Sequence, residues 1–102
     1  MIYSIRARFI ENQLKEFFHK LTDGTIENQK PDGAEILSSM KRAKIIGPGV
    51  IQWSEMCFCS PPLKHERQTV YDSVFSNMEI TIIDDYVEFE GDSFFDYLKR
   101  LE

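Results

Sequence analysis

The sequence predicts an α+β fold: a two-layer ferredoxin-like sandwich of βαββαβ type, with a short helix added at the C-terminus. Three observations carry this. Residues 2–10 alternate apolar and polar side chains, residues 14–21 repeat apolar ones at helical spacing, and residues 50–59 are apolar on both sides. Alternation with period two marks a half-buried strand, an i, i+3, i+4, i+7 stripe marks an amphipathic helix, and a doubly apolar strand is covered on both faces.

In the first strand, Tyr3, Ile5, Ala7 and Phe9 fall on one face, and Ser4, Arg6 and Arg8 on the other. The helix that follows carries Leu14, Phe17, Phe18 and Leu21 as its stripe, and Gly24 stands where a C-terminal cap belongs. Residues 22–33 are polar and contain Pro31 and Gly33, as a loop does. Residues 34–46 fit two descriptions. Ile36, Leu37, Met40 and Ala43 make a helical stripe with Asp32 as a cap, whereas the β-branched Ile45–Ile46 pair favours a short strand before the turn at Gly47-Pro48-Gly49. A helix running into a short strand reconciles them.

Val50 to Cys59 is the expected central strand, with Trp53 on one face and Met56 and Phe58 on the other. Ser60-Pro61-Pro62 breaks it and starts a helix lined by Leu63, Val70, Tyr71, Val74 and Phe75. Met78–Ile83 is a further strand, which Val87 and Phe89 extend beyond a kink at Asp84-Asp85. Ser93-Phe-Phe-Asp96 opens a last helix through Leu98 and Leu101. In the βαββαβ topology the first and third strands occupy the sheet centre, in keeping with their apolar character here.

At 102 residues the chain, 1–102, is expected to form one domain. No apolar run approaches the roughly 20 residues of a membrane helix, so no membrane partner is expected. Met-Ile-Tyr-Ser-Ile-Arg lacks the features of a secretory leader, which makes the cytoplasm the expected location. The net charge is −5, and residues 79–102 alone hold 8 acidic and 2 basic side chains. Nucleic-acid binding needs a basic footprint, which this balance opposes. The chain also lacks a Gly-rich phosphate loop, a nucleophile elbow and a His-Glu-x-x-His pair, and nothing calls for a cofactor.

The densest chemistry is Trp53-Ser-Glu55-Met-Cys57-Phe-Cys59. If the strand runs through Cys59, then Trp53, Glu55, Cys57 and Cys59 share a face. The two Cα atoms then stand about 6.5–7 Å apart with parallel side chains, which opposes a disulfide. A metal site would need these thiols plus His65 and Glu55 or His19. The helical wheel turns both histidines towards solvent, so no metal is expected. Cys59 precedes a helix start, where the macrodipole favours a thiolate, but Pro61 and Pro62 remove two N–H donors. Plain burial of both cysteines is the commoner outcome.

Two function classes follow. The favoured one is a homodimeric ligand- or protein-binding module without catalysis. It would bind a small anionic ligand or a protein partner through Arg6, Arg8, Trp53 and Cys57, with an apolar open sheet face covered by a second copy. Pairing of Arg6 and Arg8 with the carboxylates of the last strand and helix is the simpler fate of those side chains. The alternative is a small thiol-dependent enzyme using Cys59 as nucleophile, assisted by Glu55 or His65. Glu55 would carry a raised pKa if its face is covered.

Overall fold

The alternation at the N-terminus forms β1, Ile2–Phe9, whose Tyr3, Ile5 and Ala7 are buried while Arg6 and Arg8 are exposed. The computed structural model describes residues 1–101. A 3-10 turn at Glu11–Gln13 leads into α1, Leu14–Thr22, which buries Leu14, Phe17, Phe18 and Leu21. The helix stops at Asp23, and Gly24 takes a left-handed φ of +92° just beyond, as the C-terminal glycine signal implies.

Residues 34–46 resolve as both readings in succession: α2, Gly33–Arg42, then β2, Lys44–Gly47. Asp32 stands at the N-cap position of α2, yet its side chain makes no capping bond. It accepts from Gln29 and pairs with His65 instead. Strand β3, Val50–Met56, is shorter than expected and ends before Cys57.

The next helix also departs from expectation. α3 covers only Lys64–Thr69, and a 3-10 turn at Tyr71–Ser73 follows. Val70, with φ −135° and ψ −62°, breaks the helix between them, and because α3 begins only at Lys64 the two prolines precede it rather than forming its first turn. β4 starts early, at Phe75, and runs to Ile83. Val87 and Phe89 do not extend it. Residues 84–91 cross back to β3, where Val87 N–H donates to Ser54 Oγ at 3.2 Å and Ser54 Oγ donates to Val87 O at 3.1 Å. The two-residue β5, Asp92–Ser93, then leads into α4, Phe94–Arg100. Ser93 Oγ accepts from the Asp96 N–H at 3.1 Å, the cap that the sequence signals.

The sheet is antiparallel with order β4-β1-β3-β2-β5. β1 and β3 are interior strands, as their apolar patterns imply. The α+β class holds, but the chain exceeds a four-stranded βαββαβ pattern. The described residues form five strands and four α-helices, with two of those helices between β1 and β2. Tyr3, Ile5 and Ala7 of β1 and Ile51 and Trp53 of β3 point to one face. There they join α1, α2 and α4 in a single core cluster that includes Leu14, Phe17, Ile36, Met40, Phe94 and Leu98. Phe75 stacks at 5.3–6.2 Å from Trp53, Tyr71, Phe17 and Phe94, which ties β4 into that core. No helix among the described residues is long and apolar enough to cross a membrane.

Candidate functional site

Register places Glu55 opposite Tyr3 and Trp53 opposite Ile5, on the face covered by helices. Both side chains are 0% exposed. Glu55 Oε1 accepts from Trp53 Nε1 at 2.8 Å and from the Tyr71 hydroxyl at 2.6 Å, while Oε2 has no hydrogen-bond partner among the described residues. Burial pushes the Glu55 carboxyl up to about 8, and the two donors only partly oppose this. Among the described residues no cation pairs with it, and its partners are a phenol and an indole.

Beyond Met56 the chain leaves the sheet. The Cys57 N–H donates to Met1 O at 2.9 Å, and the Cys59 N–H donates to Cys57 Sγ at 3.1 Å. Leu63 then adopts the left-handed region (φ 61°) and turns the chain into α3. This turn buries Glu66, whose Oε1 accepts from Cys59 Sγ at 3.4 Å. The sulfurs of Cys57 and Cys59 and a carboxylate oxygen of Glu66 thus lie within 4.8 Å of one another. Both cysteines are free thiols. Burial pushes the Cys57 thiol up to about 12, so it is protonated at neutral pH.

A cavity of about 370 Å³ opens beside this group, lined by Pro31, Asp32, Glu35, Met56, Cys57, Phe58, Cys59 and Glu66. Asp32 reaches this position because the 26–33 loop folds tightly on α2. A Cβ on Gly33 would stand 2.0 Å from Ile26 O, so only glycine fits. His65 borders the site through a 2.6 Å contact between Nδ1 and Asp32 Oδ2. That hydrogen bond raises the imidazole pKa above its ordinary value, and the Asp32 charge adds to the effect.

Next to the cavity, α2 completes the free edge of β3. β2 pairs with β3 only as far as Gln52. Past that point Arg42 Nη2 donates to Ser54 O at 2.9 Å, and Glu35 Oε2 accepts from Met56 N–H at 2.9 Å. Arg42 and Glu35 pair with each other at 3.2 Å. The Tyr86 hydroxyl also donates to Glu35, at 2.9 Å, and the tyrosine ring lies 4.4 Å from the Arg42 guanidinium carbon.

The residues singled out in the sequence therefore separate into three groups. Trp53 and Glu55 are sealed in the core. Arg6 and Arg8 lie on the opposite, open face, where Ser4 and Gln52 are hydrogen-bonded at 3.0 Å. That face is polar rather than apolar, and Arg6 and Arg8 make no ion pair among the described residues. Cys57 and Cys59 meet Glu66, which sequence reasoning passed over. No hydrogen bond joins Glu55 or His65 to either sulfur among the described residues. Comparison with protein-family models, with curated proteins and with solved structures finds no match.

Proposed function

We propose that this chain is a binding module without catalysis, and that its ligand site is the cavity at the end of β3 beside Cys57, Cys59 and Glu66. The observation that carries this reading is the composition of the recess. Apolar walls from Pro31, Met56 and Phe58 surround a few convergent polar groups, the usual make-up of a ligand pocket. The thiol-enzyme alternative is less well supported. It asks for a base at the sulfur, whereas His65 is engaged by Asp32, Glu55 by Trp53 and Tyr71, and Cys57 is held protonated.

Thiol alkylation at neutral pH, in the presence of a chelator, separates the two. Labelling of the folded chain no faster than that of a free cysteine supports the binding module. A fast-labelling Cys59 in the folded chain, slowing on denaturation, would establish the enzyme in its place.

A second reading adds a homodimer. Phe58 is 85% exposed at the end of the sheet, beside Met1, Met56 and Ile82, which are also exposed. An apolar group of this kind favours an interface there, rather than across the polar open face. Sedimentation equilibrium tests it: a dimer that becomes monomeric in Phe58→Ser supports the reading, and a monomer in the unaltered chain ends it. We further read the scaffold as an elaborated ferredoxin-like sandwich, on the strength of the β4-β1-β3-β2 order within the sheet. Two free thiols side by side favour a reducing compartment such as the cytoplasm.

A further inference from the structure

We infer that Cys57, Cys59 and Glu66 form a binding site for a thiophilic divalent cation of the zinc class, with a fourth coordination position facing the cavity. The inference rests on the reading of that cavity as the ligand site and names what the site holds.

Geometry is the first support. The three ligand atoms lie within 4.8 Å of one another. A tetrahedral zinc ion, with Zn–S of about 2.3 Å and Zn–O of about 2.0 Å, spaces its ligands roughly 3.3–3.8 Å apart. The Cys59–Glu66 edge already measures 3.4 Å. The remaining edges, each within 4.8 Å, close by about 1–1.5 Å at most, within the reach of side-chain rotation, because Cys57 and Cys59 lie outside regular strand or helix.

Ligand chemistry is the second. Two sulfurs with one carboxylate suit zinc or cobalt and do not suit calcium or magnesium, which take oxygen ligands. The Cys59 N–H on Cys57 Sγ is a donor of the kind that supports a metal-bound thiolate. Exclusion of competing groups is the third. His65 and Glu55 have their own partners, and the cavity between the three ligand atoms and the walls of Pro31, Met56 and Phe58 leaves room for a further ligand. A water or an outside ligand would complete the coordination there.

Binding would involve no oxidation. Two S–H bonds break, two metal–sulfur bonds form, and two protons pass to solvent. Glu66 exchanges its hydrogen bond from Cys59 for a bond to the ion.

The test is titration of the reduced, metal-free chain with Co²⁺, followed by displacement with Zn²⁺. Expected are one equivalent bound, an intense thiolate-to-cobalt charge-transfer band in the near ultraviolet, and protection of both thiols from alkylation. Cys59→Ser, at the half-buried cysteine, should weaken uptake at least about 100-fold, more than the 10–100-fold that loss of an outer-shell partner causes. Glu66→Gln should weaken it while leaving the thiolate band at saturation. Circular dichroism confirms that each variant is folded. Cobalt uptake without the charge-transfer band, or a band unchanged in Cys59→Ser, overturns the inference. Its failure is separate from failure of the binding-module reading, which is judged by alkylation in the absence of metal.

Discussion

The phenol of Tyr71 donates a 2.6 Å hydrogen bond to Oε1 of Glu55, and neither side chain reaches solvent. The pair links β3 to the 3-10 turn that follows α3. It joins the cavity-bearing end of the chain to the core, so its energetics can be read in stability.

Glu55 should make stability fall as pH rises. Its carboxyl is pushed from an ordinary value of 4.5 up to about 8 in the folded chain. Between those values the folded state keeps a proton that the unfolded state releases, so each step up in pH favours unfolding. Below about 4.5 both states are protonated, and above about 8 neither is. Glu55→Gln mimics the neutral acid and removes this slope. With chelator present, the stability difference in favour of the variant should be small at pH 4.5 and grow to on the order of 3–5 kcal/mol by pH 9. Thermal unfolding across pH checks it; a difference that stays constant would show that Glu55 titrates normally.

Tyr71→Phe should be destabilising although it deletes a single oxygen. Among the described residues Glu55 Oε2 is already unpartnered, and the substitution leaves Oε1 with Trp53 alone. Loss of a buried partner of this kind costs about 1–3 kcal/mol. In Tyr71→Phe/Glu55→Leu the unsatisfied carboxyl is absent, and part of the loss should be recovered. Urea unfolding of the single and double variants measures the coupling.

Glu35→Ala should loosen the end of β3 locally. The substitution removes the acceptor for the Met56 N–H, the Arg42 guanidinium and the Tyr86 hydroxyl together. Hydrogen exchange at the Met56 amide should accelerate at least about tenfold, the equivalent of roughly 1.4 kcal/mol of local opening. The amides at the centre of β1 should be unaffected. Uniform acceleration throughout the sheet would count against a local role.

His65 should titrate above its ordinary value of 6.5 because its Nδ1–H donates a hydrogen bond to the Asp32 carboxylate. The stabilisation this pair provides is complete below 6.5, where the imidazole is charged in both states. It is lost as pH rises through the higher folded-state value. An NMR titration of the His65 ring should give a midpoint above 6.5 that returns towards it in Asp32→Asn. An unmoved midpoint in that variant would separate the two residues.

Much of the scaffold is readable in sequence because burial is periodic there. Tyr3, Ile5 and Ala7 against Arg6 and Arg8 give β1 and its orientation, and the Leu14–Leu21 stripe gives α1. Ser93 announces α4 by its capping side chain. The site was less readable because it lies where periodicity stops. A single helical wheel drawn from Ser60 to Phe75 puts the stripe near Val74. The real helix is six residues long and breaks at Val70, which turns Glu66 inward. Likewise, the shared face of Glu55, Cys57 and Cys59 holds only while the strand continues, and it ends at Met56. A buried glutamate seven residues after Cys59, on a short helix opened by a left-handed leucine, has no local signature. Its partners come from tertiary packing.

The side-chain seal on β3 has a consequence for how the sheet can grow. Arg42 and Glu35 occupy the backbone positions that a neighbouring strand would use, and Val87 passes over Ser54. No peptide can zip onto that margin without first displacing an ion pair and a crossing loop. The nine residues of β4 form the opposite margin, with no strand beyond them among the described residues. Strand addition by a second polypeptide is thereby steered to β4, whose Ile82 and Ile83 share a surface hollow with Met56 and Phe58, so a strand added there would come up against the rim of the sulfur-lined recess.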